Sequence, residues 1–211
     1  MTITIISGPM ASGKSKHALK IAETHAPSSV FKSERSYARD GGFIKSRYYK
    51  SKDALTGQPY VGNNEYPLPA NSVYDYDLTL LIREEAKAGC QVLIIDEAHL
   101  LAEPCWANNS EEFLKINKLG GGAIDGLKVY IYGLDKFADG KPSWLASSLC
   151  CDHIHLTGEC AMCACPATHT HRITIDNPIT DEYEALCAHC WEELNRDRIV
   201  SDFVNLRPVF D

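Results

Sequence analysis

The stretch Gly8-Pro9-Met10-Ala11-Ser12-Gly13-Lys14-Ser15 follows directly on the apolar run Thr2-Ile3-Thr4-Ile5-Ile6. It fits the pattern G-x-x-x-x-G-K-S/T, and its context is that of a phosphate-binding loop. A buried strand is expected to end near Ser7. A helix is expected to open near Lys14, with Ala18, Ile21 and Ala22 on one face. Backbone N–H groups of such a loop converge on phosphate oxygens, and the helix N-terminus adds positive potential. Lys14 then reaches the β- and γ-phosphates of ATP, and the Ser15 hydroxyl ligates Mg²⁺.

A second element completes that core. Val92-Leu93-Ile94-Ile95-Asp96-Glu97 is a continuous apolar run ending in acids, as in a buried strand whose Asp96 holds the Mg²⁺ shell beside Ser15. Further strands are expected at Ser29–Phe31 and Lys128–Gly133. Helices are expected from a cap at Asp75 or Asp77 to Gly89, from Asn109 to Leu119, and from Ser143 to Cys150. Strands alternating with helices imply parallel crossovers, hence an α/β sheet with the loop at its carboxyl edge. Between Ser33 and Asn71 the pattern dissolves into glycines, prolines and tyrosines. This reads as a long functional loop carrying Arg35, Arg39, Lys45, Arg47, Lys50 and Lys52, with Lys32 just before it.

The last quarter differs. Cys160-Ala161-Met162-Cys163 is answered, 24 residues after Cys163, by Cys187-Ala188-His189-Cys190. Two C-x-x-C pairs at that distance point to four thiolates around a structural Zn²⁺, with disulfides as the competing reading. Cys165 is a spare thiol, and Cys90, Cys105, Cys150 and Cys151 read as core or surface residues. His153, His155, His169 and His171 alternate along two extended segments, so a shared sheet face is one reading and solvated strand residues the other. The chain thus divides into residues 1–156, an ATP-binding domain, and 157–211, a zinc-binding domain with a tail.

Composition narrows the classes. The net charge is -7, so nothing indicates a nucleic-acid partner. No apolar run is long enough to span a bilayer, and no targeting segment is recognisable. With nine cysteines and no secretion signal, a cytoplasmic compartment is expected.

The motifs together resemble those of the zinc-containing, type II thymidine kinases. That family's loop reads G-x-M-x-S-G-K-S/T, met by Gly8, Met10, Ser12, Gly13, Lys14 and Ser15. Its D-E-G/A-Q-F run stands here as Asp96-Glu97-Ala98-His99-Leu100. Its G-L-D and G-x-P elements are met by Gly133-Leu134-Asp135, Gly140 and Pro142, with the aromatic displaced to Phe137. Its C-x-x-C-x-x-x-A-x-x-x-x-R segment is met by Cys160, Cys163, Ala167 and Arg172, and its Y-x-x-x-C-x-x-C by Tyr183, Cys187 and Cys190. The family's D-x-R-Y motif has no clean counterpart. Its Gln is His99 here, and the aromatic after it is Leu100.

The resemblance implies a P-loop (RecA-like) parallel sheet with helices on both faces, plus a small zinc-ribbon or lasso domain. It implies transfer of the ATP γ-phosphate to the 5′-hydroxyl of thymidine or a related deoxyuridine. Glu97 is then the general base, assisted by Lys14 and Arg172. Pro9, Ala11 and the other loop residues bind ATP. Met10, Leu100, Leu134, Thr170, Ile175 and Tyr183 line the nucleoside pocket. A homotetramer or dimer is implied as well. Two other classes fit parts of the sequence. Asp96-Glu97-Ala98-His99 spells the DEAH of nucleic-acid-dependent NTPases, although 211 residues leave no room for a motor's second core domain. An ATP-binding zinc-ribbon switch without phosphoryl transfer is the other.

Overall fold

The structure is a computed structural model and describes residues 1–25, 28–33, 36, 43–44, 68–73, 78–112, 115, 126–149, 151–173 and 183–205. Its strands, in chain order, begin with β1 (Thr2–Ser7), β2 (Ser28–Ser33), β3 (Phe43–Ile44), β4 (Leu68–Pro69), β5 (Asn71–Val73) and β6 (Val92–Asp96). They continue with β7 (Lys128–Gly133), β8 (Asp152–His155), β9 (Gly158–Glu159), β10 (Pro166–Ala167), β11 (His169–Arg172) and β12 (Tyr183–Leu186). Six of them form one sheet in the order β5-β2-β6-β7-β1-β8. Every pairing in it is parallel.

Parallel strands covered on both faces read as apolar runs, and all five residues of β6 are buried. Alternation then sorts the side chains. Ile3, Ile5, Leu93, Ile95, Val129 and Ile131 pack with Leu78, Leu81, Ile82 and Ala86 of the helix Leu78–Lys87, and with Trp144 and Leu145. Ile6, Val92, Ile94 and Tyr132 meet Ala18, Ile21 and Ala22 of the helix Lys14–Thr24 on the opposite face. Helices therefore cover both faces, and each wholly buried isoleucine contributes roughly 1.5–3 kcal/mol. The helix Leu78–Lys87 ends as the sequence predicts. Gly89 N–H donates to Ala86 O and Cys90 N–H to Glu85 O, a pair of bonds that closes off the last carbonyls.

Three expectations need correction. The helix from Ser143 to Cys150 is only Trp144–Ser147. Ser148 turns extended, and its Oγ and the Leu149 N–H both donate to Ala107 O at 3.0 Å, which diverts the chain. The segment between Ser33 and Asn71 is not all loop. β3 and β4 pair antiparallel, Ile44 is fully buried, and β5 adds an edge to the sheet. Its prolines suggested breaks, yet Pro69 lies in such a two-residue strand, where proline is tolerated. Of the two readings of the four histidines, the shared face fails, since His153 and His155 lie in β8 of the large sheet and His169 and His171 in the separate β11–β12 pair; the solvated reading holds for His153 and His155, which are exposed.

Asn109 caps as expected, its Oδ1 accepting from Glu111 N–H at 3.1 Å and Glu112 N–H at 3.3 Å. The far end of that helix, its stop at Gly120–Gly122, the caps Asp75 and Asp77, Cys150, and the basic residues from Arg35 to Lys52 lie outside the described residues. Beyond β8, β9 pairs with β10 and β11 with β12, and the helix Ala188–Asn205 follows. A small core of Cys160, Ala167, Ala185, Leu186, Cys190 and Trp191 binds these pieces together. No helix among the described residues is long and apolar enough to cross a membrane.

Candidate functional site

The chain leaves β1 at Ser7 and turns through Gly8–Gly13 into the helix Lys14–Thr24, at the carboxyl end of the sheet. Gly8 has φ 154°, and a Cβ there would sit 2.1 Å from Leu156 O and 2.9 Å from Ser12 Oγ. Only glycine fits. Lys14 is folded into the curve of the loop: its Nζ donates to Gly8 O at 2.9 Å, to Pro9 O, and to Ser12 Oγ at 3.3 Å. Burial lowers the Lys14 pKa, while the nearby carboxyls of Glu97, Asp96 and Asp135 oppose that shift.

Those acids sit at the ends of neighbouring strands. Asp96 closes β6, one strand removed from β1, because β7 lies between them. Burial pushes the Asp96 carboxyl up to about 7, Glu97 pushes the same way, and Lys32 and Lys14 pull it down. Lys32 was expected with the loop's basic cluster. It is instead in β2, 2 % exposed and in register with Asp96. Its sequence signal was a lone cation directly after the apolar pair Val30-Phe31.

Glu97 has φ 54° and initiates the 3₁₀ turn Ala98–Leu100. A non-glycine residue in that region carries a strain of order 1–3 kcal/mol, which residues retain where a site needs the resulting direction. Asp135, just past β7, keeps Oδ2 3.7 Å from His155 Nδ1, itself 3.5 Å from Ser7 Oγ. Its Oδ1 is buried without a hydrogen-bond partner among the described residues.

A cavity of about 920 Å³ opens beside these groups. Met10 of the loop and Glu97, His99 and Leu100 of the turn line it. Leu134 and Phe137, following β7, and Thr170, Arg172 and Tyr183 of β11 and β12 line it as well, with Thr170 adjoining Met10. Of the residues expected to line a nucleoside pocket, Met10, Leu100, Leu134, Thr170 and Tyr183 all face this cavity. Ile175 lies outside the described residues. Lys14, Ser15 and Asp96 are not in its wall. Leu194 and Asn195 of the last helix, and His171, line it without having been expected. Nothing in their spacing links that helix to the loop; only the folding-back of the cysteine segment does.

That segment folds back around its cysteines. The Sγ atoms of Cys160, Cys163, Cys187 and Cys190 all lie within 4.8 Å of one another. Cys163 Sγ is 3.6 Å from Cys187 Sγ and 3.7 Å from Cys190 Sγ. A tetrahedron with metal–sulfur bonds of about 2.3 Å has edges of about 3.8 Å. A disulfide needs about 2.05 Å, so the disulfide reading fails for these cysteines. Burial pushes the Cys160 thiol up, but backbone amides of Cys187, Met162 and Cys163 outweigh it and bring the group down to about 6. Neighbouring sulfurs, Cys187 first, push Cys190 up. Four sulfurs so placed can hold a metal ion such as zinc. Of the other thiols, Cys165 and Cys105 are exposed, and Cys90 and Cys151 pack against the core. Compared with known proteins, the chain matches no protein-family model and no curated protein at a significant level.

Proposed function

We propose that this chain is a deoxynucleoside kinase of the type II thymidine kinase kind, moving the ATP γ-phosphate to the 5′-hydroxyl of thymidine or a related deoxyuridine. The observation that carries the reading is one cavity shared by Met10 of the phosphate loop, Glu97 of the acidic turn, and Arg172 of the cysteine-held strand pair. The strand order supports it too, since it sets Lys14 and Asp96 on either side of β7 at one sheet edge.

The chemistry follows from those groups. Glu97 takes the proton of the 5′-hydroxyl as the oxygen bonds to the γ-phosphorus, and the bond to the β-phosphate oxygen breaks to release ADP. Lys14 and Arg172 offset the charge on the transferring oxygens. Ser15 and buried Asp96 would hold Mg²⁺, whose charge screens the β- and γ-phosphates. The Asp96 donor set suits that ion, because a carboxyl whose ionisation burial opposes gains most from a cation. Zinc on Cys160, Cys163, Cys187 and Cys190 would keep β11 and β12 in place, reducing the entropy lost on ordering the pocket wall.

A panel of nucleosides with γ-labelled ATP tests the reading. Label in thymidine or deoxyuridine monophosphate is expected. Hydrolysis of ATP stimulated by DNA or RNA, or ATP binding without transfer to any nucleoside, would overturn it.

A further inference from the structure

His99 is 8 % exposed and lines the cavity beside Glu97. Its Nδ1 accepts a hydrogen bond from Leu134 N–H at 3.2 Å, joining the turn after β6 to the chain after β7. The same Nδ1 is 3.5 Å from Glu97 Oε2. Because the Leu134 N–H already occupies the Nδ1 lone pair, a neutral ring carries its proton on Nε2. The approach of Glu97 to Nδ1 is then one acceptor facing another, not an ion pair.

The ring is held in that role from its other sides. Gly133 lies flat against it: a Cβ there would be 3.0 Å from both His99 Nδ1 and His99 N, and 2.5 Å from Leu145 Cδ1. The Phe137 ring stands 5.8 Å away, centroid to centroid, tilted by 54° to the imidazole. A backbone N–H left without its acceptor beside a carboxylate draws that carboxylate in, since charge-assisted bonds of this kind are the strong ones.

We infer that His99 is a positioning residue: by taking the Leu134 N–H it keeps the Glu97 carboxylate turned into the cavity. The inference rests on the kinase reading for the importance of Glu97, but not for the geometry. In this chain the acceptor is an imidazole nitrogen, where the family that the motifs resemble carries an amide side chain.

Two variants remove the acceptor, His99→Ala and the bulkier His99→Leu, and His99→Asn restores an acceptor at the position of Nδ1. Steady-state kinetics on thymidine and crystal structures of the variants are the measurements. Both acceptor-free proteins are expected to lose at least about tenfold in kcat, with the KM for ATP within about twofold of wild type, and Asn is expected to recover most of it. In their structures Glu97 is expected to have swung to the Leu134 N–H. A Glu97 that stays in place, an Asn variant as impaired as Ala, or a fall in kcat matched by equal losses in ATP affinity and melting temperature overturns the inference. Should the wild type transfer no phosphate while Glu97 still swings in the variants, the kinase reading fails and the positioning role stands.

Discussion

The Met10 N–H donates to Thr170 Oγ1 at 3.1 Å, across 160 positions of sequence. This bond ties the loop Gly8–Gly13 to β11, and through it to the cysteine-held segment. Thr170 is 1 % exposed, so removing its hydroxyl leaves the Met10 N–H without that partner in a place of little water. Such a loss costs about 1–3 kcal/mol. Thr170→Val is therefore expected to raise the KM for ATP and for nucleoside together, where a pure pocket change would move the nucleoside alone. Initial-rate kinetics varying both substrates separate the two patterns.

Glu97→Gln keeps the size of the side chain and removes its basicity. Binding of ATP and nucleoside is expected to persist while the phosphorylation rate falls by at least about a hundredfold. Single-turnover mixing measures the chemical step directly. A variant with near-normal turnover would remove Glu97 from the role of base.

One tightly bound zinc per chain is expected on Cys160, Cys163, Cys187 and Cys190. Cys187→Ser is expected to raise the nucleoside KM more than the ATP KM, because β11 and β12 line the cavity while Lys14 lies outside its wall. Elemental analysis of carefully purified protein, and kinetics before and after chelation, check both parts. Protein that contains no zinc and is indifferent to chelators contradicts the prediction.

Leu100 lines the cavity where the resembled family carries an aromatic ring. Its neighbours do not fill the difference: Leu101 and Trp144 are packed into the main core, and the Trp144 Nε1–H donates to Ala98 O at 3.1 Å. Wild type is expected to accept deoxyuridines with bulky 5-substituents better than Leu100→Phe does. The ratio of kcat/KM for such a substrate to that for thymidine is the measurement. Equal ratios in the two proteins mean that Leu100 is packing alone.

Asp96 carries a pH signature. Its carboxyl goes from an ordinary 3.8 to about 7 on folding, chiefly by burial. Between those values the folded protein holds a proton that the unfolded chain has released, so stability falls as pH rises through the window and stays lower above it. Without Mg²⁺ or nucleotide, Asp96→Asn is expected to melt several degrees above wild type at pH 8 and to match it more closely near pH 4, while losing activity. Thermal melts across that range check it. A difference between the proteins that does not change with pH contradicts the assignment.

Much of this architecture was legible in the sequence because the signals were local. The apolar run before Gly8, the run ending at Asp96, the four-residue face of Leu78, Leu81, Ile82 and Ala86, and the C-x-x-C pairs each announce themselves within a short window. What was not legible depends on distant partners. Lys32 reads as one more cation until β2 is set beside β6 and its side chain is in register with Asp96. Ser148 ends a helix because Ala107, far away in sequence, offers it a carbonyl. Asn195 and Leu194 reach the cavity only because the cysteines turn the chain back. The motif spacing named Glu97 but was silent on its left-handed backbone and on His99 holding Leu134 beside it.

The place of β7 between β1 and β6 also sets a timetable. In chain order the loop Gly8–Gly13 and Asp96-Glu97 both precede residue 128. Both of the neighbours that β1 pairs with, β7 and β8, come later than Leu127. A nascent chain that already carries the loop and the acids therefore has nothing to seat them on a common edge. The loop and the two acids reach one sheet edge only when the middle strand slides in, so a chain halted before residue 128 carries both motifs apart.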